Sequence, residues 1–340
     1  MARLLSAQPA TIRNFEERQM NALSHQLRIA ARRQETDDIV TFDLVDPMGR
    51  ALAPFTPGAH IDIEAAPGII RQYSLLNDSS ERNRYRIGVL RDRASRGGSQ
   101  AMHKLVVGDI VYIAGPRNHF ELQLGGHPTW LLAGGIGVTP LLCMSRELYR
   151  NQSKFKLDYC VRSVAHAAYV SELQAGPFAS AVHVHYDDGP DDQRLHIDDG
   201  MAAMEPDTHL YICGPAGFMA WCIGAAARAG VPDAQVHVEY FKGAEEGETR
   251  TEIAFDIRLA SSGATLNVPR DASILSVLRS HGIAVPASCE TGVCGTCLTG
   301  ILSGTPDHRD VYLSKEERAA GDVILLCCSR ARSPLLVLDL

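Results

Sequence analysis

Three cysteines close together in the last quarter of the chain constrain its fold more than any other feature. Cys289, Cys294 and Cys297 stand as C-x4-C-x2-C within SCETGVCGTC, and Cys327 follows in LLCCSR. This is the plant-type spacing of a [2Fe-2S] cluster, in which four thiolates hold two irons. A loop wrapped around such a cluster must turn tightly and aim backbone N–H groups at the sulfurs, and Gly292 and Gly295 stand between the ligands where such turns fall. Structural zinc is the competing reading, but zinc sites usually present two close Cys or His pairs, and this segment has one CxxC. Adjacent residues on a strand face opposite ways, so of Cys327 and Cys328 one points at the site, and Cys327 is expected to be the fourth ligand. Cys143, Cys160, Cys213, Cys222 and Cys328 read as small buried apolar residues.

A chain of 340 residues exceeds one ordinary core of about 100 to 200 residues, so several domains are expected. With 45% hydrophobic and 21% charged residues it has the balance of a globular protein. The net charge of -7, with no block of Lys and Arg, argues against nucleic acid and anionic membranes as partners. No run of about 18 apolar residues suggests a membrane span. Residues 1–24 are a polar extension without the apolar run of a signal peptide, which points to a cytoplasmic, reducing setting with free or metal-binding thiols.

Short alternating segments, Leu27-Ile29-Ala31, Val40-Phe42-Leu44 and Ile61-Ile63, are punctuated by Pro57-Gly58, Pro67-Gly68 and Asn77-Asp78. They predict a small antiparallel β-barrel over residues 25–124. Residues 125–242 change to buried strands alternating with helices, the pattern of a parallel α/β domain, with strands at Trp130–Ala133, Phe155–Val161, Ala181–Tyr186, His209–Cys213 and Val236–Tyr240. Residues 243–252 read as a charged linker. Residues 253–340 open on alternating Ile253, Phe255, Ile257 and Leu259. A helix follows with Asp271 as its expected N-cap, Ile274, Val277 and Leu278 as its apolar face and Gly282 at its end, which makes the unit β-grasp-like.

Two further motif groups bear on chemistry. Arg71-Gln72-Tyr73-Ser74 puts a cation, an aromatic ring and a hydroxyl on one short strand, a set that suits a flavin, although alone it also fits an ordinary strand. Arg96-Gly97-Gly98-Ser99 precedes a helical stretch, where backbone N–H groups can close around a phosphate. In the α/β segment a buried strand runs into Gly134-Gly135-Ile136-Gly137-Val138-Thr139, and Cys213-Gly214-Pro215 ends another strand. The spacing is not GxGxxG, but both turns fall where open α/β sheets bind ligands.

Taken in order, RQYSL, RGGS, GGIGVTP, CGP and CETGVCGTC resemble the phthalate dioxygenase reductase family, which includes the vanillate O-demethylase reductases, over residues 25–340. The resemblance implies an FMN-binding barrel, a nicotinamide-binding domain of the ferredoxin reductase type and a C-terminal plant-type ferredoxin domain. By it, Arg71, Gln72, Tyr73 and Ser74 contact the flavin, Arg96, Gly97, Gly98 and Ser99 its phosphate, and Val89 and Leu90 lie near the ring. Gly134, Gly135, Ile136, Gly137, Thr139, Cys213, Gly214 and Pro215 hold NADH, Arg162 and Ser163 run along its adenosine half, and Phe241 covers the flavin. The implied partner is a terminal Rieske-type oxygenase acting on aromatic compounds. A ferredoxin-like carrier, a cytochrome or a ferric acceptor is the alternative electron acceptor, with NADPH as the alternative donor. No catalytic side chain is expected, because the cofactors carry the hydride and electron chemistry.

Overall fold

The computed structural model describes residues 25–92, 97–241 and 253–340, which gather into two compact units, His25–Phe241 and a second that holds residues 253–340. The extension over residues 1–24, Arg96 and the linker over residues 243–252 lie outside the described residues.

The first unit opens with β1 (His25–Thr36), β2 (Ile39–Val45), β3 (His60–Ala66), β4 (Ile69–Ser74) and β5 (Tyr85–Leu90), then α1 (Gly98–Lys104) and β6 (Ile110–Arg117). The strands form an antiparallel sheet in the order β4-β3-β6-β1-β2-β5, and an antiparallel bridge from Leu75 to Ile87 joins its two ends into a barrel. The alternation read from the sequence fills it: Leu27, Ile29, Val40, Phe42, Leu44, Ile61 and Ile63 are all buried in one core. Ala31 departs from the pattern because a bulge between Ile29 and Ala31 shifts the register, leaving it half-buried.

A five-stranded parallel sheet follows, built from β7 (Thr129–Gly134), β8 (Phe155–Val161), β9 (Val182–Tyr186), β10 (His209–Cys213) and β11 (Val236–Glu239). Between the strands run α2 (Val138–Arg150), α3 (Val170–Ala175), α4 (Ile197–Ala202) and α5 (Ala216–Arg228). The order is β11-β10-β7-β8-β9. The chain therefore builds outward from β7 on one side through β8 and β9, then returns to the other side with β10. That reversal makes the carboxyl ends of β7 and β10 a topological switch point, where a crevice opens for ligands.

Strand β2 shows how the barrel and the parallel sheet come to share one unit. Its odd-numbered residues face away from the barrel core: Ile39 packs in the core of the parallel sheet, Thr41 Oγ1 lies 2.9 Å from the Tyr169 hydroxyl, and Asp43 pairs with Arg86 at 2.7 Å. Beside it on β5, Gly88 leaves room for the neighbouring domain. A Cβ there would lie 2.3 Å from the Tyr169 hydroxyl, 3.0 Å from Thr139 Cγ2 and 3.4 Å from Ile136 Cδ1. Helix α2 is wedged between the two sheets, giving Cys143 to the barrel core and Leu141, Leu142 and Leu148 to the other.

The second unit contains β12 (Phe255–Leu259), β13 (Thr265–Val268), α6 (Ile274–Ser280), β14 (Leu298–Ser303), β15 (Pro306–Asp307), α7 (Lys315–Ala320), β16 (Val323–Leu325), β17 (Arg330–Ala331) and β18 (Leu335–Leu338). A mixed sheet in the order β13-β12-β18-β14-β16 grips α6 through Ile274, Val277 and Leu278, giving the β-grasp. The helix cap differs from expectation. Ser273, not Asp271, accepts from the Ser276 N–H at 3.1 Å, because the helix starts at Ile274 and a cap must stand next to the first turn.

Gly88→Ala is expected to cost about 1–3 kcal/mol of stability, the usual range for overpacking a close contact. Gly217→Ala, in α5 with nothing within 4 Å of the added methyl, should be neutral or stabilising by up to about 1 kcal/mol. Denaturant unfolding of both variants checks the contrast.

Candidate functional site

On β4 the side chains alternate, so Arg71 and Tyr73 share one face and Gln72 and Ser74 the other. Arg71 lies against the start of α1: a Cβ on Gly98 would fall 2.7 Å from its Cγ and Nε. The arginine, the bare backbone at Gly98 and the half-buried Tyr73 ring thus gather at one end of the barrel. Ser99 Oγ accepts from the Asp92 N–H at 3.1 Å, and His103 Nε2 lies 3.0 Å from the Val89 carbonyl, which ties α1 to β5. A cation beside open backbone N–H groups is the donor set a flavin phosphate needs, and these residues fit it. Val89 is fully buried in the barrel core, so its backbone is what it can offer a ligand, whereas Leu90 is 40% exposed. Gln72 is engaged within the barrel, 3.0 Å from Asp62 Oδ1 and 3.2 Å from His60 Nε2.

At the switch point the two glycine turns press on each other. A Cβ on Gly137 would lie 2.2 Å from the Cys213 carbonyl oxygen, so no larger residue fits. Thr139 is 2% exposed and donates from Oγ1 to the Ile136 carbonyl at 3.0 Å, so it braces the turn from inside. Arg162 and Ser163 follow the carboxyl end of β8. Arg162 is exposed, and Ser163 Oγ lies 2.8 Å from His166 Nδ1. Phe241 is 37% exposed just past β11. The glycine turns, the β8 end and Phe241 therefore collect along the carboxyl edge of the parallel sheet, which suits an extended dinucleotide.

The sequence reading missed Glu239. It pairs with Cys213 across β10 and β11, and Ser74 of the barrel donates to its Oε2 at 3.4 Å. Burial pushes its carboxyl group up to about 8, against the opposing effect of the Ser74 hydrogen bond, and so favours its protonated form. Only the tertiary fold could reveal this, since Ser74 and Glu239 are far apart in sequence. Cys213, wholly buried, has its thiol pushed up by burial and then by Glu239.

In the second unit the cysteine thiols come together as two pairs, Cys289 with Cys294 and Cys297 with Cys327. The hydrogen bond from Cys294 is the main cause that holds the Cys289 thiol below its ordinary range. Backbone N–H groups point at the sulfurs, Thr291 at Cys289 Sγ over 3.4 Å and Thr296 at Cys294 Sγ over 3.5 Å. Two irons bridged by sulfide need two thiolates each, and two pairs fit that demand. Cys328 approaches Cys327, but its sulfur packs against the loop, 2.6 Å from where Gly292 would carry a Cβ.

The comparisons agree with this geometry. Residues 131–223 match the oxidoreductase NAD-binding domain, and residues 257–332 match the 2Fe-2S iron-sulfur cluster binding domain. A vanillate O-demethylase oxidoreductase from Pseudomonas sp. (strain HR199 / DSM 7063) is 46% identical over 92% of this chain and 98% of its own length. The chain belongs to the family of vanillate O-demethylase and phthalate dioxygenase reductases. Within that family the solved phthalate dioxygenase reductase, a modular structure for electron transfer from pyridine nucleotides to [2Fe-2S], superposes with a TM-score of 0.73 at 39% identity. It covers 93% of this chain and 97% of that one. An intact type IV self-sufficient cytochrome P450 monooxygenase matches with a TM-score of 0.80 at 35% identity, over 93% of this chain but 41% of that longer chain. Like its family, this chain is an iron-sulfur flavoprotein oxidoreductase that uses FMN, a [2Fe-2S] cluster and NADH.

Because the folded value of Glu239, about 8, lies above the ordinary 4.5, folding favours its protonated form. The stability it contributes is full below the ordinary value and is lost as pH rises through the folded one. Glu239→Gln should therefore flatten the fall in melting temperature between about pH 4.5 and about pH 8. An unchanged pH profile of melting would show that the carboxyl group titrates normally.

Proposed function

We propose that this oxidoreductase is the reductase component of a two-component Rieske oxygenase or O-demethylase, taking electrons from NADH and passing them through FMN and the [2Fe-2S] cluster to the oxygenase. The observation that carries this reading is the Ser74–Glu239 contact, which brings the flavin strand of the barrel to the carboxyl edge of the parallel sheet, beside the glycine turns. Similarity to the vanillate O-demethylase and phthalate dioxygenase reductases supports the choice of an oxygenase as partner.

Each side chain has a distinct task. Arg71, with the backbone at Gly97, Gly98 and Ser99, holds the flavin phosphate. Tyr73 lies against the ring system, and Ser74 binds its polar edge. The turns at Gly134 to Gly137 and at Cys213 to Pro215 seat the nicotinamide end of NADH, while Arg162 and Ser163 take its adenosine end. Phe241 shields the flavin until the dinucleotide displaces it. Protonated Glu239 keeps a negative charge away from the place where hydride leaves the nicotinamide and holds Ser74 in position. Cys289, Cys294, Cys297 and Cys327 hold the cluster.

When bound, the flavin and the cluster together convert a two-electron donor into single-electron steps. Plant-type clusters lie near about -400 mV and Rieske centres at about -150 mV or above, so transfer runs downhill by roughly 250 mV. At about 59 mV per tenfold for one electron, that is roughly four powers of ten in favour of the oxygenase. That none of the nine cysteines forms a disulfide supports a reducing, cytoplasmic setting.

Anaerobically purified protein should show flavin and iron-sulfur absorption that bleach together with NADH, and the extracted flavin should be FMN. Cys294→Ser should leave NADH oxidation by an artificial two-electron acceptor within about twofold, yet lower electron delivery to a Rieske protein by at least about 100-fold, since the cluster is the one-electron carrier. Equal loss of both activities in folded protein would mean that the flavin and the cluster are not separate stations.

A further inference from the structure

Glu290 follows Cys289 directly and has φ of +56, in the left-handed region that a glutamate adopts only at a cost. Such a conformation persists when its surroundings hold it in place. Here the holder is Arg279, which donates from Nη1 to Glu290 Oε1 at 2.6 Å, both side chains being about one-third exposed. Arg279 is presented from a fixed platform, because α6 is anchored in the core by Ile274, Val277 and Leu278. It also stands in the last turn of that helix, where a cation is favoured.

The left-handed turn has a direct consequence for the neighbouring sulfur. It folds the chain back so that the Thr291 N–H meets Cys289 Sγ at 3.4 Å, and the Val293 N–H and the Thr291 side chain reach the same atom. Successive N–H groups aimed at one anion form a nest. Hydrogen bonds to cluster sulfurs stabilise the more negative, reduced state and so raise the reduction potential.

We propose that Arg279 and Glu290 are positioning residues for electron transfer: their ion pair keeps Glu290 left-handed, holds the N–H donors on Cys289 Sγ, and thereby sets the potential of the cluster. The proposal rests on the cluster reading above, which iron and acid-labile sulfide content of the same preparations tests separately. Single substitutions would mix this effect with a change of charge beside the cluster. Two charge-balanced double variants of the full-length protein separate them. Arg279→Met with Glu290→Ala removes both charges and leaves a residue that resists the left-handed region, whereas Arg279→Met with Glu290→Gly removes both charges and leaves one that enters it freely.

Potentials are read by anaerobic spectroelectrochemical titration of the cluster absorption. The alanine double should bind its electron about tenfold more weakly than wild type, about 59 mV for one electron. The glycine double should remain within about twofold of wild type, because its backbone still supplies the nest. Equal potentials in the two doubles, at full iron and sulfide content, overturn the proposal. Should the alanine double lose its cluster, the glycine double decides alone: a tenfold weakening overturns the lock, and a wild-type potential supports it.

Discussion

The approach of the barrel to the parallel sheet at Gly88 is the contact on which the hydride half of the molecule depends. Tyr169, Thr139 and Ile136 all press on this one position of β5, and only a residue without a side chain lets them come so close. Hydride transfer needs two ring systems held in van der Waals contact, and an enzyme achieves it by fixing the bodies that carry them. Here one body is the flavin barrel and the other is the NAD-binding sheet. Thr139 belongs to both arrangements, since it braces the turn with its hydroxyl and touches the barrel with its methyl.

The same economy appears in β2, which has two buried faces. Val40, Phe42 and Leu44 fill the barrel, while Ile39 and Thr41 meet the neighbouring domain. A strand exposed on one side would carry polar residues in the second set. Asp43 is polar but buried, and it is satisfied by Arg86 and Arg84, which together lower its pKa despite burial. Ion pairs tie the domains, among them Arg150 with Asp78 at 2.6 Å and Arg86 with Glu172 at 3.8 Å. Pairs of this kind, partly exposed, add register more than stability.

The cluster unit solves a different problem, which is to surround negative sulfurs with donors while keeping the loop short. Asp310, fully buried, accepts the N–H groups of Tyr312 and Leu313 at 3.1 and 2.8 Å and stands beneath Gly292. The loop is thus held from below by Asp310 and from the side by Arg279. Two thiol pairs, each suited to one iron, follow from this folding of the segment between Cys289 and Cys297 against Cys327.

By itself the sequence determined the chemistry of the ligands and the kind of each layer. The cysteine spacing named the cluster, period-two alternation placed Val40, Phe42 and Leu44 in a barrel, and the strands at Phe155–Val161 and His209–Cys213 fell where they were expected. These signals are local, because ligand spacing and hydrophobic period are properties of a few consecutive residues. The helix cap was misjudged by two residues, since the competition between Asp271 and Ser273 turns on where the first hydrogen bond closes. What only the tertiary structure decided are the contacts between distant segments: Ser74 with Glu239, Gly88 with Tyr169, Cys297 with Cys327 and Arg279 with Glu290. A carboxyl group holds its proton more tightly, and a glycine makes room for a close contact, through the neighbours that folding brings to it. No pattern along the chain encodes those neighbours directly.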